Sequence, residues 1–294
     1  MGPHDTDAVR TGNEVARRVA AMMSQEPLIR LASFFGIFAL MAVWELTAPR
    51  RPLTAPRGRR WPVNLSIVVL NTLTVRLLFS TTAVGMAALA AQNQWGVLNV
   101  VGWPVLLTVI AALVAMDFVL YLQHVVFHAV PALWRLHMMH HADLDVDVTT
   151  GARFHPVEIV LSMLIKLAAV TLIGAPPAAV LIFEVVLNAT SMFNHSNVRM
   201  PETLDRLLRW IVVTPDMHRI HHSVARDETN SNFGFSLPWW DRLLGTYRPD
   251  PAKSQVEMPL GLEQFRDPRE LTLAGSLALP FRGGTGPYPL GGRR

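Results

Sequence analysis

Long apolar regions constrain the fold of this chain more than any other feature of its sequence. Residues 28–47 form the first, and a helix of that length can cross about 30 Å of hydrocarbon. Residues 62–91 form the second, either as one long tilted helix or with the first half along the membrane interface, and a third span runs from residue 100 or 101 to residue 122. The fourth, 157–193, is interrupted at 174–177 by Gly-Ala-Pro-Pro, which predicts a turn between two helices of about seventeen residues.

The composition supports the same fold class. Of the 294 residues, 51% are hydrophobic and 16% are charged, whereas soluble domains carry about 25% charged residues. We therefore predict an all-α fold, an integral membrane helical bundle with about four to five membrane segments. The expected organisation is a polar N-terminal segment over residues 1–27, a single membrane-embedded domain over 28–258, and a disordered tail rich in Gly, Pro and Arg over 259–294.

Residues 49–60 contain five arginines and no acidic residue. The positive-inside rule predicts that this loop is cytoplasmic. Its position between two apolar regions favours a role in topology over nucleic-acid binding, so no nucleic-acid partner is expected. Counting the crossings from this loop brings residues 124–155 and 195–222 to one cytoplasmic face. The Arg-rich and Lys-poor composition favours a bacterial source and hence the bacterial inner membrane.

Ten of the eleven histidines lie between residues 124 and 222. They occur as three groups with i, i+3 or i, i+4 spacing and two single residues: His124 and His128; His137, His140 and His141; His155; His195; and His218, His221 and His222. Residues three and four apart share a helix face, so each group directs imidazoles to one place. The chain has no cysteine, so a metal bound here takes nitrogen and oxygen ligands. The pattern predicts a polynuclear metal site at the ends of the membrane helices.

Two sets of charged residues fall inside the predicted membrane segments. Asp117 precedes Tyr121, His124 and His128 on one helix face, so its carboxylate could accept from an imidazole of another helix or pair with an arginine. Lys166 and Glu184 lie near the middle of the two hairpin helices, where they either pair with each other or contact different neighbours.

The motifs around these histidines resemble those of the fatty acid hydroxylase and sterol desaturase superfamily, which are membrane-bound di-iron oxygenases. The resemblance covers roughly residues 115–248. It rests on DFVLYLQHVVFH at 117–128, LWRLHMMHH at 133–141, TTGARFHPVE at 149–158, FNHSN at 193–197, TPDMHRIHHS at 214–223 and NFGFSLPWWDRLLGTY at 232–247.

The resemblance implies a centre of two iron ions. It would be held by the eight histidines of the three groups, with His155 and His195 as further ligands or as residues that orient ligands. Glu158 and Asp117 are the carboxylates expected to orient imidazoles. Zinc could replace iron in purified protein, because zinc binds such sites more tightly than ferrous iron. No catalytic residue beyond the metal ligands is implied.

The implied reaction is the O2-dependent hydroxylation or desaturation of an aliphatic C–H bond in a lipid, such as a sterol, a fatty acyl chain or a carotenoid. The chain lacks a cysteine cluster and a GxGxxG fingerprint, so the electrons are expected from a separate reductase.

Two other functions use histidine-rich membrane proteins. A metal transporter or sensor would favour ligands at mid-membrane, whereas these histidines lie at helix ends. A zinc-dependent membrane hydrolase would need about three protein ligands and a nearby general base, and ten histidines exceed that number.

Overall fold

The computed structural model of the protein describes residues 24–268 and 272–290, so residues 1–23 of the predicted polar segment lie outside this part of the chain. The α-helices are α1 Glu26–Thr47, α2 Arg57–Leu78, α3 Ala83–Gln92, α4 Val97–Val100, α5 Val105–Ala129, α6 Pro131–His141, α7 Pro156–Ile173, α8 Pro177–His195, α9 Glu202–Leu208, α10 Pro215–His221, α11 Arg226–Thr229, α12 Trp239–Leu243 and α13 Leu273–Ala278. Short 3-10 turns occur at Thr150–Ala152 and Leu279–Phe281. The described residues pair as strands only at two isolated bridges, which confirms the all-α prediction.

Five helical segments within residues 24–268 and 272–290 are long and apolar enough to cross a membrane. They are Glu26–Thr47, Arg57–Val100, Val105–Ala129, Pro156–Ile173 and Pro177–His195. Large apolar side chains such as Phe35, Leu77, Leu106 and Leu172 are exposed on their outer faces. An extensive exposed apolar surface on a helical bundle is typical of contact with lipid. The predicted helical membrane bundle is therefore confirmed.

The second apolar region is not the single long helix of one predicted arrangement, and a position of its first half along the membrane interface stays a prediction. Helix α2 ends at Leu78, and a break separates it from α3, whose first turn is capped by the Thr82 hydroxyl accepting from Gly85 N at 3.0 Å. The turn after α3 then approaches the α7–α8 turn closely. A Cβ on Gly96 would lie 2.2 Å from Gly174 N, so this contact requires a glycine. Residues 62–91 therefore form two helices that both pack against α7.

The predicted hairpin is formed by α7 and α8. Gly174 ends α7 in the left-handed conformation at φ +72°, and Pro177 begins α8. Within the hairpin, Lys166 Nζ lies 2.8 Å from Glu184 Oε1, so the first of the two predicted arrangements is confirmed. Glu184 also pairs with Arg30 of α1, which links the hairpin to the first helix.

A buried ionic network fixes the polar side of the molecule, where the histidines lie. Arg60 Nε donates to Asp143 Oδ1 at 2.7 Å, and Arg60 Nη1 donates to Asp147 Oδ2 at 2.5 Å. Arg153, which is fully buried, donates to Asn64 Oδ1 at 2.7 Å. Buried charges need such partners, because an unpaired one is costly in free energy. The network holds the segment after α6 against α2, so the arginine loop has a structural role beside its predicted topological one.

The tail differs from the prediction of disorder over its described residues. Leu262, Phe265, Leu279 and Tyr288 are buried against Trp134 of α6 in one apolar cluster. The indole Nε1 of Trp134 also donates to Thr285 O at 2.9 Å. Gly and Pro content alone predicts a loop, but these few large apolar residues bury enough surface to order it. The packed unit therefore extends beyond residue 258.

Candidate metal centre

Nine histidines converge near the ends of the membrane helices. The structure divides them into two groups, and within each group the nearest ring nitrogens all lie within 4.8 Å of one another. The five-histidine group consists of His124, His128, His137, His141 and His221, and the four-histidine group consists of His140, His195, His218 and His222. All nine are buried.

Each pair of adjacent histidines is divided between the two groups. His140 belongs to the four-histidine group and His141 to the five-histidine group, and the same holds for His222 and His221, respectively. Consecutive helical residues point about 100° apart, so neighbours cannot share a ligand position. In each HxxHH sequence the first histidine joins the one four residues on rather than the one three residues on: His137 shares a group with His141, and His218 shares a group with His222. The repeated HxxHH sequence is thus suited to supplying two adjacent metals.

Lone pairs face one another inside the five-histidine group. His124 Nε2 lies 3.1 Å from both His137 Nε2 and His221 Nε2. In each of these rings the other nitrogen, Nδ1, faces an oxygen acceptor at 2.7 Å and therefore carries the hydrogen. Three nitrogen lone pairs consequently point at one place without a hydrogen between them. A cation relieves this repulsion, so the donor set fits a bound metal.

The four-histidine group has the same character. His195 Nε2 lies 3.2 Å from His140 Nε2 and 3.1 Å from His218 Nε2. His195 Nδ1 faces the Ser191 carbonyl at 2.8 Å, which leaves Nε2 with its lone pair. Within the described chain, neither ring nitrogen of His222 has a hydrogen-bond partner, although both are buried. Buried polar atoms without partners are rare in folded proteins, so these nitrogens fit a role as metal ligands.

Burial keeps the imidazoles neutral. It lowers the pKa of His137 to about 3. Burial, and then the charge of neighbouring imidazoles, lowers the pKa of His218 and His222 well below the usual value. Neutral imidazole is the form that binds metals. The site therefore offers metal-binding nitrogens at neutral pH without the cost of removing protons.

Hydrogen bonds at Nδ1, the nitrogen that points away from the group, orient most rings of the five-histidine group. Nδ1 of His124 and of His221 donate to the backbone carbonyls of Phe233 and Ser231, both at 2.7 Å. Nδ1 of His128 lies 3.2 Å from the Asn230 side-chain oxygen. Nδ1 of His137 lies 2.7 Å from Glu158 Oε1, the contact with an imidazole that the sequence predicts for this carboxylate. Such partners fix the tautomer and the direction of each ligand.

Two residues of the predicted site lie elsewhere. His155 lies outside both groups: its Nδ1 accepts from Val157 N at 3.2 Å and caps α7, and its Nε2 is 3.3 Å from Leu277 O. Asp117 accepts from the indole Nε1 of Trp240 at 2.8 Å, so it meets neither an imidazole nor an arginine. It lies seven residues before His124, about 10 Å lower along α5, which places it beyond reach of the rings. We therefore remove His155 from the candidate ligands and Asp117 from the residues expected to orient them.

The loop between α11 and α12 contributes contacts that the sequence motifs did not assign. Its Asn230, Ser231 and Phe233 supply oxygen atoms to three rings. Asp241 holds this loop in place, with Oδ1 accepting from Phe233 N and Oδ2 from Gly234 N, both at 2.8 Å. Asp241 is one of the residues in the aromatic run that the sequence motifs include. Its partners are backbone groups, so residue identity alone could not reveal them.

A cavity of about 410 Å³ reaches from the membrane helices to the five-histidine group. Its walls are mainly apolar and come from α1, α2, α5, α7 and α8. His124 and His137 line one end. Along α7 the lining residues run from Glu158 to Ala169, eleven positions or about 16 Å of helix. The cavity is thus an elongated apolar space that ends at the candidate metal centre.

Comparison with known proteins gives a consistent result. Residues 109–246 match the fatty acid hydroxylase family. The chain is 33% identical over 156 residues to ornithine lipid hydroxylase OlsE of Rhizobium tropici, covering 53% of this chain and 46% of that protein. It is 30% identical over 140 residues to alkylglycerol monooxygenase of Xenopus tropicalis, covering 47% and 30%, and 29% identical over 143 residues to human cholesterol 25-hydroxylase, covering 48% and 51%. No solved structure matches.

The fold and site define a helical membrane protein with two groups of buried histidines that could hold metal ions. All nine clustered histidines lie within the matched region, 109–246. The match of this region to the fatty acid hydroxylase family confirms the resemblance seen in its motifs. The matched parts span about half or less of the length of these curated relatives.

Proposed function

We propose that the protein is an O2-dependent oxygenase that hydroxylates or desaturates an aliphatic C–H bond of a lipid. The observation that carries this proposal is the contact between an elongated apolar cavity among membrane helices and a cluster of nine buried histidines. The relatives support it, because their names specify hydroxylation of an ornithine lipid, an alkylglycerol and cholesterol. Apolar walls favour an aliphatic substrate, and helix surfaces in contact with lipid give it a route to the site.

The proposed cofactor is a pair of iron ions, one in each histidine group. The opposed lone pairs and unpartnered ring nitrogens described above support two cations, and imidazole suits iron as well as zinc. Zinc could therefore occupy the centre in purified protein. Iron would supply the oxidising power that C–H cleavage needs and that side chains lack.

The protein's own residues would position the substrate and shield the centre. Phe154 stacks on His140 with ring centroids 4.4 Å apart and planes at 14°, so it covers that ring from the cavity side. Phe233 lies edge-on to His124, His128 and His221. These aromatic rings exclude water from the histidines. Glu158 keeps the hydrogen of His137 on Nδ1, so that Nε2 stays free as a ligand.

The proposal includes a cellular setting. By the positive-inside rule, the arginine-rich loop at 49–60 supports a position of the histidines on the cytoplasmic side, and the proposed membrane is the bacterial inner membrane. A soluble or membrane-bound reductase would reach the centre from that side and supply two electrons per turnover. The cysteine-free sequence offers no iron–sulfur cluster of its own for this task.

Metal content and oxygen uptake test the proposal. Protein in mild detergent is loaded with iron anaerobically, given a reductant and total membrane lipid, and assayed for bound iron, O2 consumption and lipid mass. We expect two irons per chain, lipid-dependent O2 uptake, and a lipid that gains 16 mass units or loses 2.

Two matched variants make the test specific. His140→Asn removes a nitrogen of the four-histidine group, and we expect it to lose metal and O2 uptake. His155→Asn changes a histidine outside both groups and keeps a residue that can cap α7, so it should retain both properties. Tight metal binding without O2 uptake in any lipid would contradict the oxygenase and favour a hydrolase or a transporter.

A further inference from the structure

The cavity is apolar along most of its length but polar at its histidine end. Asn71 of α2, Gln123 of α5, and Glu158 and Ser162 of α7 all line it. Three of these residues are linked to the histidines. Asn71 binds the backbone of Phe154, which stacks on His140; Gln123 precedes His124; and Glu158 contacts His137. A purely hydrocarbon substrate would leave these groups facing apolar atoms, which is unfavourable.

Two oxygen atoms in this polar region lack a hydrogen-bond donor. The Asn71 amide is held in one orientation, because its Nδ2 donates to Phe154 O at 2.9 Å. Its Oδ1 is buried and accepts from nothing within residues 24–268 and 272–290. Glu158 is bound to His137 through Oε1, while its Oε2 is likewise buried without a partner in the described chain. An unsatisfied buried acceptor costs about 1–3 kcal/mol, so Asn71 Oδ1, held in one orientation, favours a ligand with a hydrogen to donate.

The deeper polar group in the cavity is already satisfied. Lys166 lies about 12 Å beyond Glu158 along α7, and its Nζ is bound to Glu184 at 2.8 Å. A ligand gains little by approaching a cation that is already paired. Gln123 Nε2 donates to Ser162 Oγ at 2.8 Å, and the serine hydroxyl keeps its own hydrogen. The acceptor without a hydrogen-bond donor therefore lies at the histidine end of the cavity.

We propose that the substrate carries a hydrogen-bond donor, a hydroxyl or an amide N–H, close to the carbon that is oxidised, and that Asn71 Oδ1 accepts this hydrogen. This inference rests on the proposed lipid oxidation and narrows its substrate class. The polar group of the lipid lies at the histidine end, and its aliphatic chain extends towards Lys166. Asn71 is then a specificity-determining residue, because a site built around a donor rejects analogues without one.

Binding in the absence of turnover tests this inference separately from the oxygenase. Zinc-loaded full-length protein in nanodiscs is titrated with 1-dodecanol, 1-methoxydodecane or n-dodecane, and native mass spectrometry counts the ligands bound. The methyl ether accepts hydrogen bonds but cannot donate them. We expect the alcohol to bind about tenfold more tightly than the ether and the alkane.

Asn71→Leu should remove this preference while leaving n-dodecane binding unchanged, which also shows that the variant is folded. Thr72→Val is the matched control. Thr72 lines the same cavity, but its hydroxyl donates to Val68 O of its own helix at 2.8 Å, so the preference should persist.

Equal binding of alcohol and ether by the wild-type protein would overturn the inference, whether or not the variants fold. An unchanged preference in folded Asn71→Leu would also overturn it. A clear preference for the alcohol without O2 uptake in iron-loaded protein would instead uphold the donor site and contradict the proposed oxidation.

Discussion

The five-histidine group and the four-histidine group offer similar nitrogens but differ in what stands behind them. In the first group, hydrogen bonds from the outer nitrogen hold His124, His128, His137 and His221. In the second, His195 has such a bond, whereas Nδ1 of His140, His218 and His222 is buried without a partner among the described residues.

This difference separates two properties of a metal site, the number of donors and the rigidity with which they are held. Outer partners typically change metal affinity by about 10- to 100-fold. We therefore expect the five-histidine group to bind its metal tightly in a fixed geometry, and the four-histidine group to bind more weakly and to adjust. The cavity also ends on the rigid group, because His124 and His137 line it.

Acid should affect both groups together and gives the largest expected effect. Burial lowers the pKa of six histidines outside the membrane helices, so they stay neutral in the folded state while unfolded histidines gain protons near pH 6.5. Stability of the metal-free protein is thus retained above pH 6.5 and lost as the pH falls below it. Each histidine contributes up to about 1.4 kcal/mol per pH unit.

The measurement is the thermal unfolding midpoint of metal-free protein in detergent between pH 7.5 and 5.5. Asp241 acts in the opposite direction, because burial raises its pKa to about 6, but among the groups outside the membrane helices the six histidines outweigh it. A midpoint that does not change over this interval would contradict the neutral, buried histidines common to both groups.

Chelation should distinguish the groups. With a competing chelator, we expect metal release in two phases whose affinities differ by about 10-fold or more, the weaker metal leaving from the four-histidine group. The adjacent pair His221 and His222 assigns the phases, because each belongs to a different group. His222→Asn should remove the weak phase and His221→Asn the tight one. Release of both metals in one phase would contradict the expected difference in metal affinity between the two groups.

Weakening one hydrogen bond to the five-histidine group should reduce the difference in metal affinity between the two groups. Glu158→Gln replaces a carboxylate behind His137 with a neutral amide, which accepts a weaker hydrogen bond. We expect the tight phase to weaken by about tenfold while the weak phase stays the same. Glu202→Gln, at an exposed glutamate paired with Arg206, is the control and should change neither. An unchanged tight phase in Glu158→Gln would mean that this contact does not hold the ligand.

The smallest effect is expected at Asn230, whose oxygen lies 3.2 Å from His128 Nδ1, farther than the other partners. Asn230→Ala should weaken the tight phase by about two- to threefold, because a long neutral hydrogen bond contributes little. Competition with the chelator measures it, with Asn93→Ala as the control, since the Asn93 amide donates to Leu89 O of its own helix. A loss as large as that of Glu158→Gln would show that distance does not rank these partners.

The sequence predicted the membrane helices and the convergence of nine histidines, because both follow from residue type and spacing. The prediction that His155 joins the other histidines did not hold, because an isolated histidine can serve as a metal ligand or as a helix cap and its sequence position alone does not distinguish the two roles. The ring that could bind a metal instead caps the helix that begins at Pro156. The His-Pro sequence before an apolar run was the available signal for that cap.

Depth and backbone partners were harder to predict. Asp117 shares a helix face with His124, but its distance along the helix places it beside Trp240. The contrast between the two histidine groups was also out of reach, because it depends on carbonyl oxygens of Phe233, Ser231 and Ser191 that any residue type could supply. Spacing reveals which side chains share a face, whereas the contacts behind them depend on how loops fold.

The ordered tail has a consequence for how the protein is made. Leu290 N donates to His128 O at 3.0 Å, and Asn230 Nδ2, on the residue that contacts the His128 ring, donates to Tyr288 O at 2.7 Å. Synthesis proceeds from the N-terminus, so this segment leaves the ribosome after all nine histidines. A nascent chain would therefore hold all nine clustered histidines before the contacts that close over His128 exist.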